Sequence, residues 1–90
     1  MAVLVTAEVA GQTKEGYDGM LAAGLGDGIR RAKGFIIHMA AETPDGWRII
    51  EVWDTADDAN QFFAKFVHPN LPPGIKPKRS IQELHSVLTP

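Results

Sequence analysis

The chain contains no cysteine. That absence removes disulfides, thiol nucleophiles and thiolate metal sites, and leaves the compartment open. Long hydrophobic runs are missing too, since no apolar stretch approaches the ~18 residues of a membrane span. The amino-terminal MAVLVTAEV has neither a basic segment nor an extended apolar core, so no signal peptide is expected. Nor is there a surplus of one charge. Lys and Arg number 9 against 11 Asp and Glu, a formal net charge of −2, which argues against nucleic acid or an anionic membrane as partner. Repeats and low-complexity segments are also absent. The default expectation is a cytoplasmic protein.

What is present fits one domain over residues 1–90, with a modest core: a chain of this size buries about 60–65% of its unfolded surface. Its centre is Phe35 to Asp54. Phe35 to Glu42 and Trp47 to Asp54 are rich in Ile, Val, Phe and Trp, and Thr43-Pro44-Asp45-Gly46 between them has turn chemistry. If Thr43 faces Gly46, the hairpin pairs Ile36 with Trp53, His38 with Glu51, Ala40 with Ile49 and Glu42 with Trp47. The opposite face carries Phe35, Ile37, Met39, Ala41, Arg48, Ile50 and Val52, and its apolar character suits a surface packed under helices. A one-residue bulge at Gly46 would undo the matching, so the His38–Glu51 opposition depends on register.

Ala2 to Val9 alternates Val3, Val5, Ala7 and Val9 against Leu4, Thr6 and Glu8, as a central strand with one wetter face does. Thr13 is a candidate N-cap for a helix whose apolar face is Tyr17, Met20, Leu21, Leu25 and Ile29. Gly24, Gly26 and Gly28 predict fraying or a kink, each costing about 1 kcal/mol relative to Ala. They end a helix rather than begin one, which disfavours a phosphate-binding loop. Thr55 caps a second helix bearing the stripe Ala59, Phe62, Phe63, Phe66 and Val67. His68 to Arg79, with its prolines and Gly74, is expected to be irregular. Ser80 to Leu88 fits strand or helix on pattern alone.

The order strand, helix, strand, strand, helix, strand predicts an α+β, ferredoxin-like βαββαβ domain: a four-stranded antiparallel sheet with both helices on one face. The other face would then expose Trp47, Ile49 and Trp53, and pairing two copies through that open sheet face would cover it. A homodimeric α/β barrel is the expected assembly.

Few residues carry chemistry. A carboxylate opposite an imidazole makes His38 and Glu51 candidate catalytic residues, or a cross-strand pair that satisfies two polar groups. Trp53, Phe62, Phe63 and Phe66 are candidate walls of an aromatic pocket, or plain core. Tyr17 could place its hydroxyl there or reach solvent, and His85 on the last strand could join the cavity or remain edge polarity. A metal site from His38, His85 and Glu51 has no local ligand motif behind it, so no metal and no cofactor are expected. Lys76, Lys78 and Arg79 read as a solvated surface, or as a lid over an acidic ligand.

Gly34-Phe35-Ile36-Ile37-His38, the Asp45-Gly46-Trp47 turn, Glu51-Val52-Trp53-Asp54, the Phe-rich helix after it and Leu84-His85-Ser86-Val87 together resemble the dimeric α/β-barrel superfamily. More narrowly they are similar to small antibiotic-biosynthesis-monooxygenase-like (ABM-like) proteins. The resemblance spans nearly the whole chain and is specific to fold. It implies a small-molecule pocket like that of cofactor-independent monooxygenases acting on planar aromatic or polyketide-like compounds, with His38 as base or orienter. A non-catalytic ligand-binding or stress-associated dimer is the alternative. The superfamily's haem degraders use an Asn on the first strand, a Trp in the second helix and a His beyond it. This chain has no such Asn and puts Phe62 where that Trp, or the helix His of many monooxygenase-like members, would stand. His68, before Pro69, does not match the third position.

Overall fold

The computed structural model describes residues 1–90. Its strands are β1 (Val3–Ala10), β2 (Phe35–Thr43), β3 (Gly46–Trp53) and β4 (Lys78–Glu83). They form one antiparallel sheet in the order β2-β3-β1-β4. Two helical arms cross it. The first runs from α1 (Lys14–Met20) to α2 (Gly26–Arg30), and the second begins with α3 (Ala56–Phe62). This is the expected ferredoxin-like α+β plan.

Local chemistry explains the elements. The Thr13 hydroxyl accepts from the Gly16 amide and the Thr55 hydroxyl from the Asp58 amide, each at 3.0 Å. Such caps contribute about 1 kcal/mol apiece. The first arm breaks where glycine was expected to break it. Leu21–Leu25 is a π-type turn in which Gly24 takes φ 120°, a value that side-chain-bearing residues avoid. The second arm also loosens, through a π-type turn at Phe63–Val67 and a 3₁₀ turn at His68–Asn70 that accommodates Pro69. The expected irregular stretch is therefore shorter than His68 to Arg79, because its first residues close a helical turn and Lys78 and Arg79 already belong to β4.

Gly46 is required for a reason other than turn conformation. Its φ is not positive, but a β-carbon there would collide with the Val9 carbonyl, because β1 passes directly beside the hairpin tip.

The hairpin register holds from Ile37 to the turn, with His38 opposite Glu51 and Thr43 opposite Gly46. It fails at the far end. The irregularity lies between Phe35 and Ile37, so Phe35 rather than Ile36 pairs with Trp53. The extra residue swings Phe35 to the helix side, edge-on to Trp53 with ring centroids 5.5 Å apart.

The expected assignment of faces is reversed. Val3, Val5, Ala7 and Val9 are buried under the arms, and their pairing with Trp53, Glu51, Ile49 and Trp47 places the tryptophans on that same face. Trp53 is 0% exposed and packs with Val3, Val5, Ile29, Ala59 and Phe62. Ile37 and Met39 lie on the uncovered face, 44% and 48% exposed. The aromatic face offers more area to remove from water, at about 25 cal/mol per Å2, and it continues across β1 where the aliphatic face meets Thr6 and Glu8.

Candidate functional site

His38 stands on β2, directly across from Glu51 on β3, and both point beneath the helical arms. His38 Nδ1 lies 2.6 Å from Glu51 Oε2, with the two side chains only 17% and 15% exposed. Two further groups complete a line. The Trp53 indole N–H donates to the other Glu51 oxygen at 2.8 Å, and the Tyr17 hydroxyl lies 2.5 Å from His38 Nε2. Tyr17 reaches this point because it sits one turn inside α1, on the face turned to the sheet, stacked 5.9 Å from the imidazole and 5.1 Å from Trp47.

Donor bookkeeping assigns the protons. Glu51 accepts from Trp53 and from His38 Nδ1–H, which leaves Nε2 to accept from the Tyr17 O–H. Burial raises the Tyr17 pKa above its usual 10.0, and the negative charges of Glu51 and Asp18 raise it further. The phenol therefore stays protonated at neutral pH and serves as donor. The line Tyr17–His38–Glu51–Trp53 can take up a proton at the tyrosine end and settle positive charge on an imidazole held by a carboxylate.

Tyr17, His38 and Glu51 open onto a cavity of about 80 Å3 between sheet and arms. Val5 and Ala7 floor it, and Leu25, Phe62 and Phe63 wall it, so the lining is mostly apolar. Both loosened turns, Leu21–Leu25 and Phe63–Val67, contribute to its edge.

Of the residues proposed from sequence, the fold gathers His38, Glu51, Tyr17, Phe62 and Phe63 around this cavity. Trp53 lies beneath it, wholly buried, backing Val5 and Phe62 with its ring and bonding to Glu51 through its indole N–H. Phe66 is 50% exposed and turns away from the cavity, touching Phe62 with centroids 5.2 Å apart. The π-type turn rotates it out of the stripe. His85 is not on a strand: β4 ends at Glu83, the Leu84 amide makes a last bond to the Ala2 carbonyl at 3.0 Å, and His85 beyond it is exposed. No three His, Asp or Glu side chains converge as a metal site would require.

In the sequence Arg79 reads only as part of a basic loop. Strand alternation separates it from its neighbours: Lys78 and Ser80 face out, while Arg79 and Ile81 turn in. Its guanidinium lies 4.2 Å from the Phe63 ring centre and donates to Asn60 Oδ1 at 3.0 Å, on the cavity wall. The signal was the alternation of Arg79 with Ile81, visible once β4 is started at Lys78.

No family model and no curated protein matches the chain. Solved structures do. SnoaB, a cofactor-independent oxygenase from Streptomyces nogalater, superposes with a TM-score of 0.67 at 14% identity over 97% of this chain and 96% of its own. Its asparagine-to-alanine variant gives 0.62 at 14% identity over 97% and 95%. A conserved protein from Methanosarcina mazei Go1 gives 0.65 at 17% identity over 90% of each chain. At such identities the likeness is one of fold, and it is the fold that the sequence motifs resemble.

Proposed function

We propose that the cavity binds a small planar aromatic or polyketide-like compound, and that the protein is a cofactor-independent monooxygenase of the kind its neighbour SnoaB is described to be. The observation that carries this reading is the hydrogen-bonded line from Tyr17 to Trp53 beside a mostly apolar cavity.

In this mechanism an activated C–H of the substrate lies against the Tyr17 oxygen. Its proton passes to that oxygen as the phenol's own proton passes to His38 Nε2. The raised Tyr17 pKa makes a free tyrosinate unfavourable, so the two transfers are concerted. Glu51 stabilises the imidazolium formed. The resulting carbanion is itself the reductant of O2: a CH2 group plus O2 becomes C=O plus H2O, with no electrons from outside. Apolar walls exclude water that would otherwise return the proton.

Oxygen uptake with anthrone and 1,4-dihydroxynaphthalene tests the reading. Enzyme-dependent consumption that falls about 100-fold or more in His38→Ala is expected; turnover equal to the buffer rate with every such donor would sink it. One observation favours the non-catalytic alternative. About 80 Å3 suits a single ring better than a tricycle, so a binding protein for a smaller compound fits the cavity as it stands.

The same reading includes a homodimer through the open sheet face, now with Ile37, Met39, Ile50 and Val52 at its centre rather than the tryptophans. Native mass spectrometry should give about twice 9.8 kDa, and Met39→Lys should give the single mass. A wild-type monomer would remove the dimer from the proposal.

A further inference from the structure

The cavity carries two formal charges on its wall, Glu51 and Arg79, and they are not equally engaged. Both Glu51 oxygens are taken, one by His38 and one by Trp53. Arg79 has five N–H donors and spends one, on the neutral amide oxygen of Asn60. No carboxylate lies within ion-pair distance of it, although three other pairs on this chain bring a Lys or Arg to an Asp or Glu. The side chain is only partly exposed, and its charge rests over the face of Phe63. Burial lowers the Arg79 pKa and the more distant Glu51 charge only partly offsets this, so a negative group beside it would be favoured.

We infer that the ligand is an aromatic carboxylic acid, its carboxylate received by Arg79 and its ring lying on Phe63 and Phe62 toward Tyr17 and His38. This rests on the small-molecule cavity proposed above and goes further by naming the anionic group and the residue that selects it.

Geometry agrees. His38 and Arg79 stand on the two outer strands, β2 and β4, three strand spacings of about 4.8 Å apart across the sheet, and Arg79 lies two residues along β4 from Ile81, which is level with His38. That backbone separation of roughly 16 Å, shortened by inward side chains from both ends, leaves the length of a single aromatic ring with a carboxylate, the size that a cavity of about 80 Å3 also suits. A guanidinium presents two parallel N–H groups to a carboxylate, which fixes orientation as well as affinity. The acid group at Arg79 would therefore point the far edge of the ring at Tyr17. Lys76 and Lys78 are both exposed and do not line the cavity, so neither substitutes for a donor inside.

The test is an NMR titration of isotope-labelled protein with benzoate against benzamide. The acid is expected to bind at least tenfold more tightly than the amide, as loss of a charged hydrogen-bond partner implies. It should move the Arg79 Nε–H resonance together with cavity amides, and high salt should reduce the preference. Arg79→Gln should abolish the preference for acid over amide, and Arg79→Lys should recover part of it.

Acid and amide binding the wild type equally in the cavity overturns the inference and leaves the cavity reading intact. A preference that survives Arg79→Gln overturns it as well. If neither compound moves cavity resonances, the cavity reading falls and takes this inference with it. The wild-type acid-against-amide comparison needs no variant, so it stands even if Arg79→Gln fails to fold.

Discussion

Two tryptophans six residues apart on β3 occupy opposite ends of one buried face, and they are used differently. Trp53 is 0% exposed, surrounded by valine, isoleucine and phenylalanine, and its indole N–H is bonded to Glu51. Trp47 packs with Ala7, Val9, Tyr17, Ile49 and Ile75, and its indole N–H is buried without a partner. Both fill space and remove apolar area from water. Only Trp53 is also wired into the polar line that serves the cavity. A large aromatic under a site can thus be core by its ring and part of the site by a single N–H.

The sharpest way to break that comparison is truncation. Trp53→Ala should cost about 3–5 kcal/mol of stability, measured by urea unfolding, because it empties the best-packed point of the core. Glu51→Leu should cost a comparable amount, about 1–3 kcal/mol for each of the Trp53 and His38 N–H groups it leaves buried and unpaired. Glu51→Gln, which can still accept from Trp53, should recover much of that loss.

A finer test is the matched pair Trp53→Phe and Trp47→Phe. Both lose similar ring volume, but only the first loses a hydrogen bond. Trp53→Phe should therefore be the more destabilising, by about 1 kcal/mol. Equal losses would mean that the Trp53–Glu51 bond contributes nothing to stability.

The smallest effect concerns pH. The folded-state pKa of Tyr17 is raised above 10.0, so above the unfolded value the folded protein holds a proton that the unfolded chain has released. Stability from this group is fully present below pH 10.0 and falls as pH rises through the folded pKa. Tyr17→Phe should flatten this alkaline limb in a pH series of thermal unfolding, while Trp47→Phe, which leaves the phenol in place, should preserve it.

Much of the fold was legible because the signals were local. Thr13 and Thr55 cap because a hydroxyl beside the first free amides of a helix satisfies them. Gly24 kinks the first arm because it alone tolerates φ 120° there. The His38–Glu51 opposition followed from a turn that set register over the residues nearest to it. The bulge between Phe35 and Ile37 was not legible, since nothing in Phe35-Ile36-Ile37 marks which residue is the extra one. The choice of face is not legible in the hairpin alone, because both of its faces carry large apolar side chains. The deciding clue lay in another strand, where Val3, Val5, Ala7 and Val9 align with Trp53, Glu51, Ile49 and Trp47.

By itself, then, the sequence determined the order of elements, their caps and breaks, the hairpin register near its turn and the pairing of His38 with Glu51. All of these depend on contacts between residues close along the chain. Tertiary structure alone decided that Tyr17 closes onto His38, that Trp53 bonds to Glu51 from below rather than walling the cavity, and that Arg79 enters while Lys78 stays out. Those outcomes turn on how the arms settle over the sheet and where β4 begins, which are settled by packing between segments far apart in sequence.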